Sequence, residues 1–404
     1  MKRTILHCDL NCFFASVEML YHPEYRDVPM AVAGDPEKRH GIILAKNVPA
    51  KKYGVKTAET INDAKKKCPQ LIIVKPDYSS YEYYSELVRN LYYEYTDRIE
   101  PFGVDECWLD ITGSISYFGS AEKIVSCLLQ RVRNEIGLTL SIGISFNKVY
   151  AKLGSDMAKE DDFCRIDSLE DIRHLSASKL LFIGGHTQET LKSHGIYTIG
   201  DLADKPIDYL TQILGKAGTT LYCYANGIGS DIVSRYGQEK EMPKSISHSH
   251  TPRRDIYDMN DFKAVLTSLC DEVAERLCAQ KLYYRKVHLL LRNNQMKVRT
   301  LQCSLKENSD LAKDIYDNAL SLFIKNCDFS IPYRSIGVSV SDLSADKEIC
   351  QTSLFEESPY SLKQKKEELA MQEIRRRFGK DSIVSLRVME DRSLTTNSDN
   401  EVNV

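Results

Sequence analysis

The sequence predicts an α+β protein with more than one domain, and three observations support this fold class. Strand-like and helical segments alternate along residues 3–144, an order typical of a largely antiparallel sheet with helices packed on it. Residues 168–232 contain only short helical patterns. Residues 245–342 form another α+β unit. Because 404 residues are too many for one compact core, we expect roughly two to four domains.

The first half of the chain supplies most of the alternation. Residues 3–9 predict a strand that ends in a carboxylate, Asp9. The hairpin-like stretch 99–111 places Asp105 and Glu106 near its middle. The other predicted elements of this half are a helix at 12–21, a small α/β insert at 28–75, a tyrosine-rich helix at 80–98, a helix at 120–136 and a strand at 138–144.

The second half contains a polar linker and a strongly basic stretch. The linker spans residues 234–244 and includes a Gly and a Pro. Residues 276–306 hold eight Lys or Arg and no Asp or Glu. Within them, strands are predicted at 284–292 and 296–304. The remaining predicted elements are a charged helix at 360–378, a short strand at 383–388 and a polar tail.

Composition and charge exclude several classes of protein. The net charge of −3 shows that the chain as a whole is not a basic nucleic-acid binder, so any such surface must be local. The twelve cysteines include no C-x-x-C pair, which argues against a zinc site or a disulfide framework. The apolar runs are too short to span a bilayer and no signal peptide is evident, so we expect a cytoplasmic protein without membrane contact.

Three acidic residues form the most informative group. Asp9 ends a strand, and Asp105 and Glu106 lie in a hairpin of apolar strands. Carboxylates held in this way can bind two Mg²⁺ ions about 3.5–4 Å apart, which clamp the attacking and leaving oxygens of a phosphoryl transfer. Acids at strand ends are often merely solvated, and the pattern alone leaves both interpretations open.

Two segments resemble the palm motifs of the Y-family DNA polymerases. They are HCDLNCFFASVE at residues 7–18 and VDECWLDI at residues 104–111. The stretch SIGISFNK at 141–148, followed by AKLGSDMAK at 151–159, resembles a third block of that family. Order and spacing match from residue 3 to about 342, and the nearest branch is the DinB/UmuC type of bacterial lesion-bypass polymerase.

The resemblance implies a right-hand polymerase with palm, fingers, a helical thumb and an α+β little finger. The implied domains are a palm at 1–10 and 76–166, fingers at 11–75, a thumb with a helix–hairpin–helix at 167–233, a linker at 234–244, a little finger at 245–342, and a clamp-binding motif with a C-terminal extension at 343–404.

The resemblance also assigns residues to the reaction. The catalytic residues would be Asp9, Asp105 and Glu106, and the ligands of two Mg²⁺ ions would be the same three acids with the Leu10 carbonyl. The nucleotide-binding residues would be Phe13, Phe14, Lys51 and Lys159. Phe14 would be the steric gate under the sugar C2′, and Lys159 would contact the triphosphate of the incoming deoxynucleotide.

The fingers segment KNVPAKKYGV at 46–55 departs from the family pattern. The family usually has Tyr where Val48 stands and often Arg where Lys51 stands. Valine cannot donate a hydrogen bond to a phosphate, and lysine offers a point charge in place of a bidentate fork. Ile42 and Leu44 align with the roof over the nascent base pair and are bulkier than the smallest family examples.

Two features suit DNA contact. The segment with Gly184 and Gly185 resembles a helix–hairpin–helix, in which N–H groups at a helix N-terminus meet a DNA phosphate, although the family normally has Gly where His186 stands. The basic stretch suits a β-surface that follows the duplex backbone. Its predicted contacts are Lys286 and Arg292, which share one face of the first strand with His288, and Lys297 and Arg299, which share one face of the second.

The segment QTSLF at 351–355 resembles the pentapeptide that bacterial polymerases insert into the sliding clamp. Gln351, Leu354 and Phe355 would make the contact, because two adjacent apolar anchors can enter a preformed pocket. The implied partners are therefore primer–template DNA, deoxynucleotides and the sliding clamp, and we expect the protein itself to be a monomer.

Together these features predict a DNA polymerase of the error-prone translesion type, which transfers dNTPs to a primer 3′-OH with two metal ions. Low fidelity follows from the resemblance alone. A non-enzymatic polymerase-like scaffold recruited to the sliding clamp is an alternative that the three acids disfavour and Val48 keeps open. A nucleotidyl cyclase with a palm-like domain would leave the basic stretch and the helix–hairpin–helix without a role. A primer-extension assay separates the three.

Overall fold

The structure is a computed structural model that describes residues 3–34, 41–229, 231–238, 242–345, 359–379, 382–390 and 392–395. The chain divides into two compact units, and the division falls between residues 239 and 240. This point lies within the predicted linker at 234–244. Among the described residues, none of the helices combines the length and the apolar character that crossing a membrane requires.

The elements follow the predicted alternation of strands and helices. The described strands of the first unit are β1 (Ile5–Leu10), β2 (Met30–Ala33), β3 (Ile43–Lys46), β4 (Ile72–Val74), β5 (Ile99–Pro101), β6 (Glu106–Asp110), β7 (Leu140–Ser145) and β8 (Asp162–Arg165). The described α-helices of that unit are α1 (Phe13–Tyr21), α2 (Val48–Lys52), α3 (Ile61–Lys67), α4 (Tyr78–Tyr93), α5 (Ile115–Phe118), α6 (Ala121–Arg131), α7 (Lys148–Met157), α8 (Gly185–Ser193), α9 (Ile199–Ala203), α10 (Ile207–Leu214) and α11 (Lys216–Ala225). The second unit contains β9 (Ser245–His250), α12 (Met259–Gln280), β10 (Tyr284–Asn293), β11 (Val298–Ser309), α13 (Ala312–Asn326), β12 (Tyr333–Ser341), α14 (Pro359–Phe378), α15 (Leu386–Glu390) and α16 (Arg392–Thr395).

A five-stranded sheet in the order β5-β6-β1-β7-β8 forms the centre of the first unit. β1 lies in the middle and pairs antiparallel with β6 and β7, whereas β8 joins β7 in parallel. The largely antiparallel sheet that the sequence predicts is therefore confirmed. Alternation along β1 sends Leu6, Cys8 and Leu10 into an apolar core. His7 and Asp9 consequently lie on the opposite face.

Helix α7 covers the face of the sheet that carries His7 and Asp9. The helix approaches closely because Gly143 of β7 has no side chain. A Cβ at Gly143 would lie 1.8 Å from the Ala151 carbonyl oxygen and 2.4 Å from the Ser155 nitrogen. This glycine therefore sets the distance between α7 and the sheet.

The other side of α7 packs against the short helices α8 to α11. Val149, Tyr150 and Leu153 of α7 are buried in the core that these helices share. The Tyr150 hydroxyl donates to the Ala225 carbonyl at 2.8 Å. α7 is thus held between the central sheet and the group of short helices predicted for 168–232.

Replacing Gly143 with alanine is expected to lower the free energy of unfolding by about 3 kcal/mol, because the added methyl group must push α7 away from the sheet. Chemical denaturation followed by circular dichroism measures the change. Gly113→Ala is the control, since a Cβ at Gly113 meets no atom within 4 Å. Equal stability of the two variants would contradict the packing of α7 on β7.

A three-stranded sheet in the order β3-β2-β4 lies within the α/β insert predicted at 28–75. β2 pairs antiparallel with β3 and parallel with β4. The buried side chain of Asn47 connects this sheet to α2, because it accepts from the Ala50 N–H and donates to the carbonyls of Tyr25 and Val28. The start of α2 is therefore fixed by hydrogen bonds inside the insert.

The second unit is a four-stranded antiparallel sheet in the order β11-β10-β12-β9, with α12 and α13 packed on one face. Val287, Leu289 and Leu291 of β10 are buried against these helices. The intervening side chains of β10 point to the opposite face, where Leu290 is 36% exposed. We refer to this opposite face as the open face.

The short strand predicted at 383–388 is wrong. Residues Leu386–Glu390 form helix α15, and α15 and α16 pack on α12. Leu394 of α16 is buried in the core of the second unit. A short apolar run fits a strand or a buried helix equally well. Here the segment packs on helix α12 and is not paired with any of the described strands, so it forms a helix.

Candidate active site

Asp9 and Glu106 face each other on neighbouring strands. The Leu10 N–H donates to the Asp105 carbonyl at 3.1 Å, so Leu10 and Asp105 form a hydrogen-bonded pair of the antiparallel ladder. The next pair, Asp9 and Glu106, is then of the non-hydrogen-bonded type, in which the Cα atoms approach to about 4.5 Å. The register of the ladder therefore brings two of the predicted catalytic carboxylates together.

Asp105 lies beside Glu106 in the loop between β5 and β6. The loop turns at Gly103, whose φ of +101° favours glycine. Arg89 of α4 donates to the Gly103 carbonyl at 2.7 Å, which holds the loop against the helix. In this position the charge of Asp105 raises the pKa of Asp9, and the charge of Glu106 raises the pKa of Asp105.

A lysine that the sequence analysis did not single out lies among these acids. The Nζ atom of Lys152, on α7, lies 3.2 Å from Asp9 Oδ2 and 3.1 Å from Glu106 Oε1. It also lies 3.0 Å from Oδ1 of Asp156, four residues along the same helix. Burial opposes the charge on Lys152, but the three carboxylates outweigh it and raise the pKa of the lysine.

His7 lies next to Glu106 on the same face of the sheet. Its Nε2 lies 3.2 Å from Glu106 Oε2, and its Nδ1 lies 2.7 Å from Ser155 Oγ. Burial lowers the pKa of His7, so the ring is neutral at pH 7 and carries one N–H. The Ser155 hydroxyl donates to the Lys152 carbonyl at 2.8 Å, so Ser155 Oγ accepts from the N–H on His7 Nδ1, and Nε2 faces Glu106 without a hydrogen.

Burial and mutual repulsion set the ionisation of the acids. Burial, opposed by Lys152 and assisted by the charges of Glu106 and Asp105, raises the pKa of Asp9 to about 7. Burial and then Glu106 raise the pKa of Asp105. The pKa of Glu106 is lowered, because His7 and Lys152 outweigh the effect of burial. Three carboxyl groups this close stay charged together only with a cation nearby, so the site favours cation binding.

The donor atoms of the site suit a hard divalent ion. The ligand atoms of His7, Asp9 and Glu106 all lie within 4.8 Å of one another, a group that among the described residues does not include Asp105. Within the described part of the chain, Glu106 Oε2 is buried without a hydrogen-bond partner of good geometry. Mg²⁺ prefers carboxylate and carbonyl oxygens, and Leu10 offers a carbonyl next to Asp9. The residues present therefore fit a divalent ion held by Asp9 and Glu106.

Phe13 and Phe14 begin α1 in different surroundings. Phe13 is 3% exposed and packs in the apolar core, whereas Phe14 is half-buried. The Phe14 ring stacks on Tyr81, with centroids 4.2 Å apart and 11° between the ring planes. Tyr81 is held in turn because its hydroxyl donates to Glu18 at 2.5 Å. Of the two phenylalanines, Phe14 is the one with an accessible ring surface, and nucleotide contact by either stays a prediction.

The two lysines predicted to bind nucleotide lie on separate elements. Lys51 is in the last turn of α2, and Lys159 follows α7; both side chains are exposed. Burial raises the pKa of the Cys12 thiol just before α1, and the charge of Lys51 opposes the rise, so Lys51 lies near the start of α1. Val48, which stands where the family usually has Tyr, is 40% exposed at the start of α2.

The glycines of the predicted helix–hairpin–helix lie at the start of α8. Gly184 is the N-cap and Gly185 is the first helical residue, so the unpaired N–H groups of the helix end are nearby. The turn before them differs from a glycine turn. Phe182 has a φ of +68° and is 64% exposed. A bulky residue is strained in this left-handed region. The two glycines do not relieve the strain, because the positive φ falls on Phe182 and not on them.

Three of the four basic residues predicted to contact DNA lie on two different faces of the second unit's sheet, and Lys297 lies in the turn before β11. Lys286 and Arg292 alternate with the buried residues of β10 and lie on the open face. Arg299 of β11 pairs with the core-facing Leu291, so it lies on the helix-covered face, and it donates to the Asn326 carbonyl at 2.7 Å. Lys297, two residues earlier, lines the same cavity as Arg299. One surface therefore cannot include all four side chains.

The remaining predicted site lies outside the described residues: it consists of the clamp-binding residues Gln351, Leu354 and Phe355. The sequence analysis in turn missed Lys152 and His7. The available signals were the spacing of Lys152 and Asp156, which puts a lysine and an acid on one helix face, and the spacing of His7 and Asp9, which puts both on one strand face.

Comparisons with known proteins identify the family of the chain. The sequence profile of the impB/mucB/samB family matches residues 8–156, and that of the family's C-terminal domain matches residues 243–354. A protein named DNA polymerase IV from Acetivibrio thermocellus is 42% identical over 401 residues, which cover 98% of this chain and 99% of that protein. One of the same name from Clostridium kluyveri is 36% identical over 396 residues, which cover 95% of this chain and 97% of that protein.

A solved structure supports the architecture. It is a Y-family DNA polymerase chimera of Dbh and Dpo4, which matches with a TM-score of 0.73 at 23% identity, over 85% of this chain and 100% of the other. The likeness confirms the predicted α+β fold with palm, fingers, thumb and little finger. With the full-length relatives and the paired carboxylates of Asp9 and Glu106, it leads to one conclusion: the chain belongs to the Y-family DNA polymerases, in their bacterial DinB-type branch.

Proposed function

We propose that the chain is a template-directed DNA polymerase of the error-prone translesion type, which adds deoxynucleotides to a primer 3′-OH opposite normal and damaged bases. The observation that carries the proposal is the pairing of Asp9 with Glu106 on neighbouring strands of the central sheet, with Asp105 next to Glu106 along the chain. The family membership supports the same activity. A scaffold without activity is disfavoured, because it has no use for three neighbouring, partly buried acids.

The proposed cofactor is a pair of Mg²⁺ ions. Asp9, Asp105 and Glu106 would hold them, with the Leu10 carbonyl as a further ligand. Bound Mg²⁺ ions supply charge stabilisation to the attacking and leaving oxygens of a phosphoryl transfer. The Nε2 atom of His7 lies 3.2 Å from Glu106 Oε2, so His7 packs beside a carboxylate that would hold the ions.

Primer extension by the full chain tests the proposal. We expect Mg²⁺-dependent, template-directed addition of deoxynucleotides on an undamaged primer–template, and continued synthesis past a lesion on a damaged one. Extension that stops at every lesion would remove the translesion part of the proposal. Absence of extension on both templates, with DNA binding retained, would favour the scaffold. Conversion of nucleoside triphosphates to a cyclic product without a template would favour the cyclase.

The proposed domains keep the boundaries predicted from the sequence. The palm comprises residues 1–10 and 76–166, the fingers 11–75, the thumb 167–233 and the little finger 245–342. Within the fingers and palm, Lys51 and Lys159 would bind the triphosphate. Because Val48 cannot donate a hydrogen bond, we propose that charge alone provides phosphate binding by this part of the fingers.

We propose that the open face of the little-finger sheet contacts the duplex backbone. Lys286 and Arg292 lie on this face, and the opposing residues of β11 and β12 there are mostly uncharged and small. Asp342 lies 3.6 Å from the Lys286 ammonium, so a phosphate that approaches Lys286 must compete with this carboxylate. Gly184 and Gly185 at the start of α8 would add a phosphate contact from the thumb.

Replacing both Lys286 and Arg292 with alanine is expected to weaken duplex binding and to lower the slope of log K against log salt by about one for each lost phosphate contact. Fluorescence anisotropy at several salt concentrations measures both quantities. The double replacement of Lys297, in the turn before β11, and Arg299, on the helix-covered face, is the matched control and should change the slope less. A larger effect in the control would assign DNA contact to the other face.

We also propose that residues 351–355 bind the sliding clamp and that the enzyme works as a cytoplasmic monomer. The double variant Leu354→Ala, Phe355→Ala should keep unstimulated synthesis and lose stimulation by the cognate clamp, because buried aromatic anchors dominate small interfaces. Primer extension with and without the clamp measures this. Equal stimulation of the variant and the parent protein would exclude a clamp role for the pentapeptide.

A further inference from the structure

The ammonium group of Lys152 lies between the oxygens that the proposed metal ions require. Its Nζ is 3.2 Å from Asp9 Oδ2 and 3.1 Å from Glu106 Oε1. The side chain is 13% exposed, so the contacts are largely shielded from water. A buried ion pair of this kind is much less screened than a surface pair.

The same ammonium has a third partner, which lies in a different environment. Asp156 Oδ1 lies 3.0 Å away, four residues along α7, and its side chain is 41% exposed. Glu106, by comparison, is 20% exposed. Lys152 can therefore keep one carboxylate partner, Asp156, if it leaves the other two. Such a move changes side-chain torsions only, since Lys152 and Asp156 are one helical turn apart.

We infer that Lys152 is a built-in counterion of the metal site. It offsets part of the negative charge of Asp9 and Glu106 before the ions bind, and it withdraws to Asp156 when they do. A divalent ion on the same oxygens would lie within a few ångströms of the ammonium, where two positive charges repel strongly. Metal binding is then an exchange of one cation for another. Lys152 is in this sense a positioning residue, which keeps the two carboxylates together while no metal is bound.

This exchange lowers metal affinity, because metal binding to Asp9 and Glu106 must displace the ammonium that already contacts both of them. Lys152 also stabilises the metal-free protein, because the neighbouring carboxylates of Asp9 and Glu106 repel each other when no positive charge lies between them. The inference rests on the proposed metal site. It makes separate statements about affinity and stability, neither of which requires the enzyme to turn over.

The test is a titration of the full-length chain with Mn²⁺, without DNA or nucleotide, in which electron paramagnetic resonance counts the free ion. Lys152→Met removes the charge and keeps most of the side chain. We expect it to bind Mn²⁺ roughly tenfold more tightly than the parent protein, a ratio that corresponds to about 1.4 kcal/mol. Asp156→Asn removes the alternative partner and should weaken Mn²⁺ binding, because the ammonium is then held by Asp9 and Glu106 alone.

Lys148 provides a matched control on the same helix. It is 15% exposed and pairs with Glu100 at 2.6 Å, away from Asp9 and Glu106. Lys148→Met should lower the melting temperature equally in chelator and in Mn²⁺. Lys152→Met should lower it in chelator and much less in saturating Mn²⁺.

Unchanged or weaker Mn²⁺ binding by Lys152→Met would overturn the inference, as would tighter binding by Asp156→Asn. If Lys152→Met does not fold, the Asp156→Asn titration still decides. A parent protein that binds Mn²⁺ but does not extend primers would contradict the proposed function and leave the counterion inference standing. If the parent protein extends primers but both variants bind Mn²⁺ as the parent does, the counterion inference is contradicted and the proposed function is kept.

Discussion

Replacing Asp105 or Glu106 with alanine is expected to reduce primer extension by roughly a thousandfold or more and to leave DNA binding nearly unchanged. Each substitution removes an oxygen ligand and a negative charge from a site whose chemistry depends on bound cations. The DNA-binding surface proposed on the little finger is in the other unit and keeps its charges. Single-turnover extension and fluorescence anisotropy on the same preparations measure the two effects.

Asp162→Ala is a suitable control for this pair of variants. Asp162 is an exposed acid at the start of β8, in the same sheet as the catalytic pair. The Asp162→Ala variant should extend primers at the same rate as the parent protein. Near-normal Mg²⁺-dependent turnover by either Asp105→Ala or Glu106→Ala would show that the metal ligands lie elsewhere.

Replacing Phe14 with alanine is expected to relax the selection of deoxyribose over ribose. A 2′-hydroxyl that meets the ring loses water without gaining a partner, at a cost of about 1–3 kcal/mol. Steric overlap adds to this cost, so the parent protein should discriminate by tens-fold or more, at about 1.4 kcal/mol for each factor of ten. The accessible ring surface of Phe14, stacked at 4.2 Å on Tyr81, is consistent with this role.

A core role for Phe14 gives a different result. In that case Phe14→Ala would destabilise the protein by about 3–5 kcal/mol and reduce incorporation of every nucleotide. Measuring incorporation of dNTPs and rNTPs together with the melting temperature separates the two roles. Phe13→Ala is the matched control, because Phe13 is 3% exposed and should show the core result. Unchanged sugar selectivity in a folded, active Phe14→Ala protein would exclude the gate.

The sequence alone could predict the fold class and the acidic residues, because both depend on local patterns. Strand alternation places Asp9 at the end of β1 and Glu106 in the hairpin, and a resemblance supplies their roles. The contact between Lys152 and these acids depends on a packing distance instead. It exists because Gly143 lets α7 approach the sheet, and nothing in the spacing along the chain states that α7 covers this face.

The basic residues of the little finger show a second limit. Alternation correctly assigns Lys286 and Arg292 to one face of β10. Whether a residue of the next strand shares that face depends on the register across the turn. Arg292 pairs with Val298, so Arg299 is opposite Leu291 and points to the helices. A shift of one residue in the register would have reversed this result, and single-strand patterns cannot detect such a shift.

The placement of α7 between two cores has a consequence for how the molecule can be divided. One side of α7 completes the core of the thumb helices with Val149, Tyr150 and Leu153. The other side contacts the sheet through Ala151 and Ser155. A palm fragment that ends at residue 166 would therefore expose a row of large apolar side chains. The sheet and the thumb helices share α7 as a packing partner, so we expect each of them to be unstable without the other.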